Sequence, residues 1–126
     1  MPTNQEKRLT WVGSSKKDLV ALPVSVRKFF GHALDFAQHG EQHAAAKVLK
    51  GFGGAGVLEV VEDYLGDTYR AVYTVKFREA VFVLHVFQKK SKRGTATPKP
   101  DMNIIRERLK IAEQMVQEMR DEKTKD

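Results

Sequence analysis

Residues 68–88 read TYRAVYTVKFREAVFVLHVFQ and give the clearest strand signal in the chain. It is rich in Val, Tyr and Phe, and a polar pair at Arg78-Glu79 divides it into two segments of strand length, 68–77 and 80–88. So short a connection leaves no room for a crossover, so the two strands are expected to pair antiparallel. The second segment is apolar on both faces, which predicts a central strand covered on both sides.

Two further strands are predicted around this pair. Residues 57–63, VLEVVED, reach the pair through a turn at Gly66-Asp67, which extends the antiparallel meander. Residues 7–12, KRLTWV, alternate and predict a first strand. Residues 41–51, EQHAAAKVLKG, are interpreted as a helical turn or a loop that leads into the sheet.

Helices are predicted before and after the meander. A short first helix precedes Pro23, and a second helix opens at Pro23 and stops at Gly40. The second helix has one continuous apolar stripe at helical spacing: Val26, Phe29, Phe30, Ala33, Leu34 and Ala37. From Asp101 a last helix repeats apolar residues on a seven-residue pattern: Ile105, Leu109, Ala112, Val116 and Met119.

These elements predict an α+β fold with the order β-α-α-β-β-β-α, in which helices pack on a small, largely antiparallel sheet. A length of 126 residues fits one domain spanning 1–126, with 121–126 as a frayed tail.

Composition limits the classes of function. The chain has no cysteine, which excludes disulfides, thiol nucleophiles and cysteine-bound metals. A net charge of +6 favours a polyanionic partner. The N-terminus lacks the apolar core of a signal peptide and no segment reaches the length of a membrane span, so a cytoplasmic protein without a membrane partner is expected.

A cationic segment follows the central strand. Residues 87–100, FQKKSKRGTATPKP, hold five basic residues and no acid: Lys89, Lys90, Lys92, Arg93 and Lys99. Two interpretations are open, a solubilising surface turn or a surface that holds phosphates.

Arg70 is a candidate residue for the second interpretation, a surface that holds phosphates. Strand alternation puts it on one face with Val72, Thr74 and Lys76, where it either pairs with Glu59 or Glu62 or presents its planar fork to a phosphate. A meander also brings the start of this strand towards the end of the next one. Arg70 and the Lys89-Lys90 pair are therefore predicted to converge on one rim of the sheet.

The four histidines support no metal site, and no cofactor is expected. His39 and His43 flank Gly40 and are interpreted as surface residues at a helix end, and His32 as exposed. Alternation predicts His85 on the face of Val81, Val83 and Phe87, either as a core histidine or as a polar group reaching a site near Lys89.

At residues 7–117 the sequence resembles the RelE/ParE superfamily of toxins, in particular the HigB-like, phage-derived branch. The matching motifs are Leu58-Glu59, Tyr69-Arg70-Ala71-Val72-Tyr73, Leu84-His85, Phe87, Lys89-Lys90 and Thr97-Pro98. The resemblance implies a RelE-like toxin of a bacterial toxin–antitoxin pair. It also implies a cognate antitoxin, commonly a helix-turn-helix DNA-binding protein.

The resemblance further implies an endoribonuclease that cuts mRNA on the translating ribosome without metal and leaves a 2′,3′-cyclic phosphate. In such toxins the scissile phosphate is held by the arginine of the Tyr-Arg strand and by a basic residue at the end of the last strand. The corresponding residues here are Arg70 and Lys89 or Lys90. Lys76, Lys92, Arg93 and Lys99 are the further candidates for RNA or phosphate binding.

The pattern departs from RelE on the strand before Tyr-Arg, where RelE-type toxins have lysines and this chain has Glu59, Glu62 and Asp63. The general base is therefore open, with His85, Lys92 and Glu62 as candidates. Two other functions stay open: a ParE-like, non-enzymatic inhibitor of DNA gyrase, and a catalytically decayed RNA-binding module.

Overall fold

The computed structural model describes residues 6–89 and 96–124. Lys90, Lys92 and Arg93 lie outside the described residues. The elements in chain order are β1 (Arg8–Trp11), α1 (Ser15–Val20), α2 (Val24–Gln38), β2 (Ala46–Val48), β3 (Val57–Tyr64), β4 (Asp67–Thr74), β5 (Ala80–Lys89) and α3 (Lys99–Thr124). The predicted α+β class is confirmed. Helix α3 runs through residues 121–124, whose side chains are exposed.

The five strands form one mixed sheet in the order β1-β5-β4-β3-β2. β3, β4 and β5 form the predicted antiparallel meander, and β1 pairs parallel with β5. The sheet is thus largely antiparallel, and β5 lies inside it between β1 and β4. Residues 80–86 of β5 are all buried, which confirms a central strand covered on both faces.

Each face of the sheet carries its own hydrophobic core. The stripe of α2 packs on one face, where Val26, Phe30, Ala33, Leu34 and Ala37 are buried with residues such as Tyr73 and Val83. The stripe of α3 packs on the opposite face, where Ile105, Ala112 and Val116 are buried with Val72 and Phe82. Both predicted helical stripes are therefore confirmed, and the sheet is a middle layer between two helical layers.

The prediction of a helical turn or loop over 41–51 misses strand β2. Ala46 pairs with Val60 and Val48 with Leu58, which adds a fifth strand at the sheet edge. Ala46 is buried and Lys47 is exposed, the alternation of a half-buried strand. Pairing with β3 outweighs the helix propensity of the preceding alanines, because β3 offers an otherwise open edge.

A β-bulge in β5 overturns the predicted position of His85. Val72 pairs with His85 and Tyr73 with Val83, so Leu84 is an extra residue opposite the junction of Val72 and Tyr73. The bulge reverses the alternation, and His85 faces α3 instead of sharing the α2 face with Val81 and Val83. Arg108 of α3 donates from Nη1 to the Leu84 carbonyl at 2.9 Å, which satisfies a backbone group of the bulge.

Candidate functional site

A set of polar side chains lies where the start of α3 meets the sheet. We call it the polar cluster: Glu59, Arg70, His85, Lys89, Thr97 and Asp101. β3, β4 and β5 supply the first four residues. The segment before α3 supplies Thr97, and the first turn of α3 supplies Asp101. Helix α3 starts only at Lys99, so the sheet face below its N-terminus is closed by polar rather than apolar side chains.

Arg70 and Glu59 form a buried ion pair within the cluster. Nη1 of Arg70 lies 3.0 Å from Oε1 of Glu59, and the two side chains are only 5% and 11% exposed. Thr97 joins both residues: Nη1 of Arg70 donates to the Thr97 hydroxyl at 3.3 Å, and that hydroxyl donates to Oε2 of Glu59 at 2.7 Å. The predicted alternative of pairing with Glu59 is therefore realised. Glu62 pairs in register with Tyr69, which faces α2, so Glu62 lies on the opposite face of the sheet from Arg70.

His85 and Asp101 form a second pair beside the first. Nε2 of His85 lies 2.7 Å from Oδ1 of Asp101, with side chains 8% and 22% exposed. The imidazole stacks on the Phe87 ring at a centroid distance of 4.5 Å and an interplanar angle of 17°. The Asp101 contact and this stacking fix both the position and the plane of the imidazole.

One nitrogen of each pair is buried without a hydrogen-bond partner within the described part of the chain: Nε of Arg70 and Nδ1 of His85. Arg70 pairs in register with Phe87, and Val72 pairs with His85. Arg70 and His85 are therefore diagonal neighbours on adjacent strands, within reach for long side chains. Burying polar atoms without hydrogen-bond partners costs free energy, so these two nitrogens without described partners on one face of the sheet call for an explanation.

Lys89 extends the cluster along β5. It pairs in register with Thr68, two residues before Arg70 on β4, and is 6% exposed. The side chains of Phe87 and Lys89 follow His85 on the face of Arg70 by strand alternation. The predicted convergence of Arg70 and Lys89 on one rim is thus seen in the register.

The other predicted phosphate-binding residues lie farther out or outside the described chain. Lys99 is exposed as the first residue of α3, next to the cluster in sequence. Lys76 lies beyond Thr74, at the opposite end of β4 from Arg70, and its side chain packs beside Gly56. The structure therefore does not bring Lys76 to the cluster. Lys90, Lys92 and Arg93 are outside the described residues.

A pocket of about 450 Å³ opens beside the ion pair, and sequence reasoning missed its two lysines. Its lining residues are Lys47, Val48, Leu49, Lys50, Glu59, Ala96, Thr97 and Met102. Lys47 pairs in register with Glu59, so its position follows from strand β2. Because β2 was not predicted, no sequence pattern placed Lys47 and Lys50 near Arg70.

The remaining histidines lie away from the cluster. His32 is exposed, as predicted. His39 caps α2, and a hydrogen bond to the Asp35 carbonyl, with the nearby Asp35 and Glu6 carboxylates, raises its pKa. Glu6, Asp35 and His39 are exposed, and a carboxylate oxygen of each acid and a ring nitrogen of His39 lie within 4.8 Å of one another. His43 is partly buried between the Phe29 and Phe36 rings, at centroid distances of 5.3 and 5.2 Å.

The fold and the cluster together define a class: a small three-layer α+β protein with a buried arginine and an aspartate-paired histidine at one end of its sheet. Among the described helices, none has the length and apolarity needed to cross a membrane.

Residues 17–110 match the family described as Phage derived protein Gp49-like (DUF891), and the chain belongs to this family. The match covers about three quarters of the chain and includes Arg70, His85, Lys89 and Asp101. The family is one of RelE-like toxins of toxin–antitoxin systems, so membership implies a cognate antitoxin as partner. No curated protein matches the chain.

Proposed function

We propose that this protein is a HigB-like toxin that cleaves mRNA on the translating ribosome, without a metal ion, through attack of a ribose 2′-hydroxyl on the adjacent phosphate. The observation that carries the proposal is the placement of Arg70, His85 and Lys89 on one face of two adjacent strands. This placement joins two cations and a base in a largely water-excluded cluster.

Arg70 suits the role of phosphate ligand despite its pairing with Glu59. The guanidinium has five N–H donors, and the contacts to Glu59 and Thr97 both use Nη1. Nε has no partner among the described residues, so it can donate to a phosphate oxygen while Nη1 keeps its contact with Glu59. A donor held in place by Glu59 and Thr97 needs little reorganisation when charge develops on the phosphate.

Surrounding charge supports binding of a polyanion. Lys47 and Lys50 line the pocket beside Thr97, and Lys99 begins α3 two residues after Thr97. Lysines in these positions would hold the flanking phosphates and so orient the nucleotide, while the 2′-hydroxyl of the RNA supplies the nucleophile. No resident metal is needed for this chemistry, because cations neutralise the phosphate.

The cognate antitoxin is proposed to be a helix-turn-helix DNA-binding protein, as in the HigB-like branch that the sequence resembles. The ribosome and mRNA are the proposed targets, and the cytoplasm is the corresponding location.

The test adds the purified protein to a cell-free translation reaction and maps RNA ends. Wild type should give new 5′-hydroxyl ends within translated regions, matched by 2′,3′-cyclic phosphates on the upstream fragments. Arg70→Lys keeps the charge opposite Glu59 but loses the fork, and should slow cleavage by roughly 100-fold or more. Arg27→Lys, on α2 and away from the cluster, is the matched control and should cleave like wild type.

Intact mRNA in the presence of folded wild-type protein would overturn the proposal. Inhibition of gyrase supercoiling in that case would establish the ParE-like alternative instead. Salt-sensitive RNA binding without new ends would establish the decayed binding module. Equal cleavage of free and ribosome-bound mRNA would remove ribosome dependence from the proposal.

A further inference from the structure

We infer that His85 is the general base of the cleavage reaction and that Asp101 is the residue that positions it. The inference rests on the proposed ribonuclease function and names the base that the sequence leaves open. It is carried by two observations: the 2.7 Å contact of His85 Nε2 with Asp101, and the buried Nδ1 of the same ring, which has no hydrogen-bond partner within residues 6–89 and 96–124.

The Asp101 contact determines which nitrogen can act. A carboxylate only accepts hydrogen bonds, so in the neutral ring Nε2 carries the proton and Nδ1 keeps its lone pair. The His85 side chain is more than nine-tenths buried, and no described protein group donates to Nδ1. A lone pair held in this way has no competing donor among the described residues.

The second open atom lies on the adjacent strand and completes the fit. Nε of Arg70 is a buried donor with no partner in the described part of the chain, and Arg70 is diagonal to His85 across the β4–β5 pair. A donor and an acceptor on diagonal strand positions match a group that accepts at one point and donates at another. A ribonucleotide has this pattern where its phosphate oxygen lies next to its 2′-hydroxyl.

The chemical step balances with these groups. Nδ1 of His85 takes the proton of the 2′-hydroxyl while the 2′-oxygen forms a bond to phosphorus and the bond from phosphorus to the 5′-oxygen breaks. The departing 5′-oxygen takes a proton from water, and His85 later returns its proton to solvent. Arg70 Nε binds a non-bridging phosphate oxygen throughout, and Asp101 stabilises the imidazolium as it forms.

The charged groups near His85 come from α3 and from strands of the sheet. Asp101 and Arg108 approach from α3, Arg70 from β4, and Glu59 lies behind Arg70 on β3, with Lys89 farther along β5. Asp101 contacts the ring directly, so its carboxylate is the group to change.

The experiment measures single-turnover cleavage on programmed ribosomes from about pH 5.5 to 9 for wild type, His85→Gln and Asp101→Asn. The wild-type rate should rise with pH through an inflection that reports deprotonation of the general base. His85→Gln should lose this inflection and roughly 100- to 10,000-fold in rate. His32→Gln, an exposed histidine on α2, should match wild type in both respects.

Asp101→Asn separates positioning from mere support of the fold. An asparagine can donate its amide N–H to Nε2, which moves the ring proton to Nδ1 and removes the base. Cleavage should fall by roughly 100-fold or more while half-saturating ribosome concentration stays within about threefold of wild type. Nitrogen-15 NMR of the histidine rings should show the proton on Nε2 of His85 in wild type and on Nδ1 in the variant.

Each outcome decides the matter. If wild type cleaves and His85→Gln retains the inflection and a rate within about threefold, the inference is overturned while the ribonuclease proposal stands. A wild-type NMR spectrum with the proton on Nδ1 overturns the inference even if the variants fail to fold. Absence of cleavage by wild type overturns the inference together with the proposed function.

Discussion

Replacing Arg70 with methionine should destabilise the fold, and adding Glu59→Gln should restore it. The pair is 3.0 Å apart with side chains 5% and 11% exposed, so the single change leaves Glu59 as a buried carboxylate without its cation. Breaking a buried pair in this way costs roughly 3–5 kcal/mol. A domain of this size is stable by about 5–15 kcal/mol in total, so the single variant should lose a large part of its stability.

The double variant removes both charges. Its glutamine keeps an amide oxygen that can accept from the Thr97 hydroxyl, which donates to Glu59 in wild type. Its free energy of unfolding should lie within about 1–2 kcal/mol of wild type, because a neutral, packed replacement of a buried pair is often close to neutral. Urea unfolding followed by the fluorescence of Trp11, the single tryptophan, measures all four members of the cycle. Trp11 packs against the α2 core and so reports on the folded sheet.

Cleavage should not follow stability in this cycle. The double variant should fold like wild type and cut no mRNA, since the phosphate ligand is gone. Wild-type cleavage by the double variant would refute the role of Arg70. A cost below about 1 kcal/mol for Arg70→Met alone would refute the burial argument, because pairs that cheap to break are solvent-exposed.

Two further changes test packing elsewhere in the fold. Burial raises the pKa of Tyr73 from 10.0 to about 12 and its hydroxyl has no described partner, so the unfolded chain ionises first as pH rises. The free energy of unfolding of wild type should therefore be constant up to about pH 10 and fall by roughly 3 kcal/mol towards pH 12. Tyr73→Phe should be at least as stable as wild type at pH 7 and should lack most of this decline. Urea unfolding at pH 7 and 11 measures both. Gly13→Ala should lower the free energy of unfolding by roughly 1–3 kcal/mol more than Gly40→Ala does, as measured by thermal unfolding. Both glycines have positive φ, but only a Cβ added at Gly13 would meet Arg108, at 2.7 Å. Equal losses for the two glycine variants would show that the Arg108 contact is unimportant.

Much of the architecture could be predicted because it depends on local patterns. The stripe of α2 and the three meander strands repeat with clear periods, and the short turns between the strands leave antiparallel pairing as the available geometry. The register then brings Arg70 towards Lys89 without further information. The predicted pairing of Arg70 with Glu59 follows from the same neighbouring strands.

The rest depends on tertiary contacts that leave no periodic trace. The bulge at Leu84 reverses the face of His85, and only the pairing with Val72 and Tyr73 reveals it. Thr97 and Asp101 reach Arg70 and His85 across 27 and 16 positions of sequence, because α3 docks across the sheet. A hydrogen-bond partner at such a separation is set by how two elements pack and not by residue spacing.

The same contacts that fold the protein also orient its candidate chemistry. Ile105 is fully buried one turn after Asp101, so the α3 core holds the carboxylate against His85. Loss of activity in a variant of this region therefore has two physical causes, a displaced α3 or a changed reactive group, and an activity assay alone reports their sum. The ring proton of His85 distinguishes them, because displacement of α3 frees Nε2 from Asp101 altogether, whereas Asp101→Asn keeps the helix in place and reverses the tautomer.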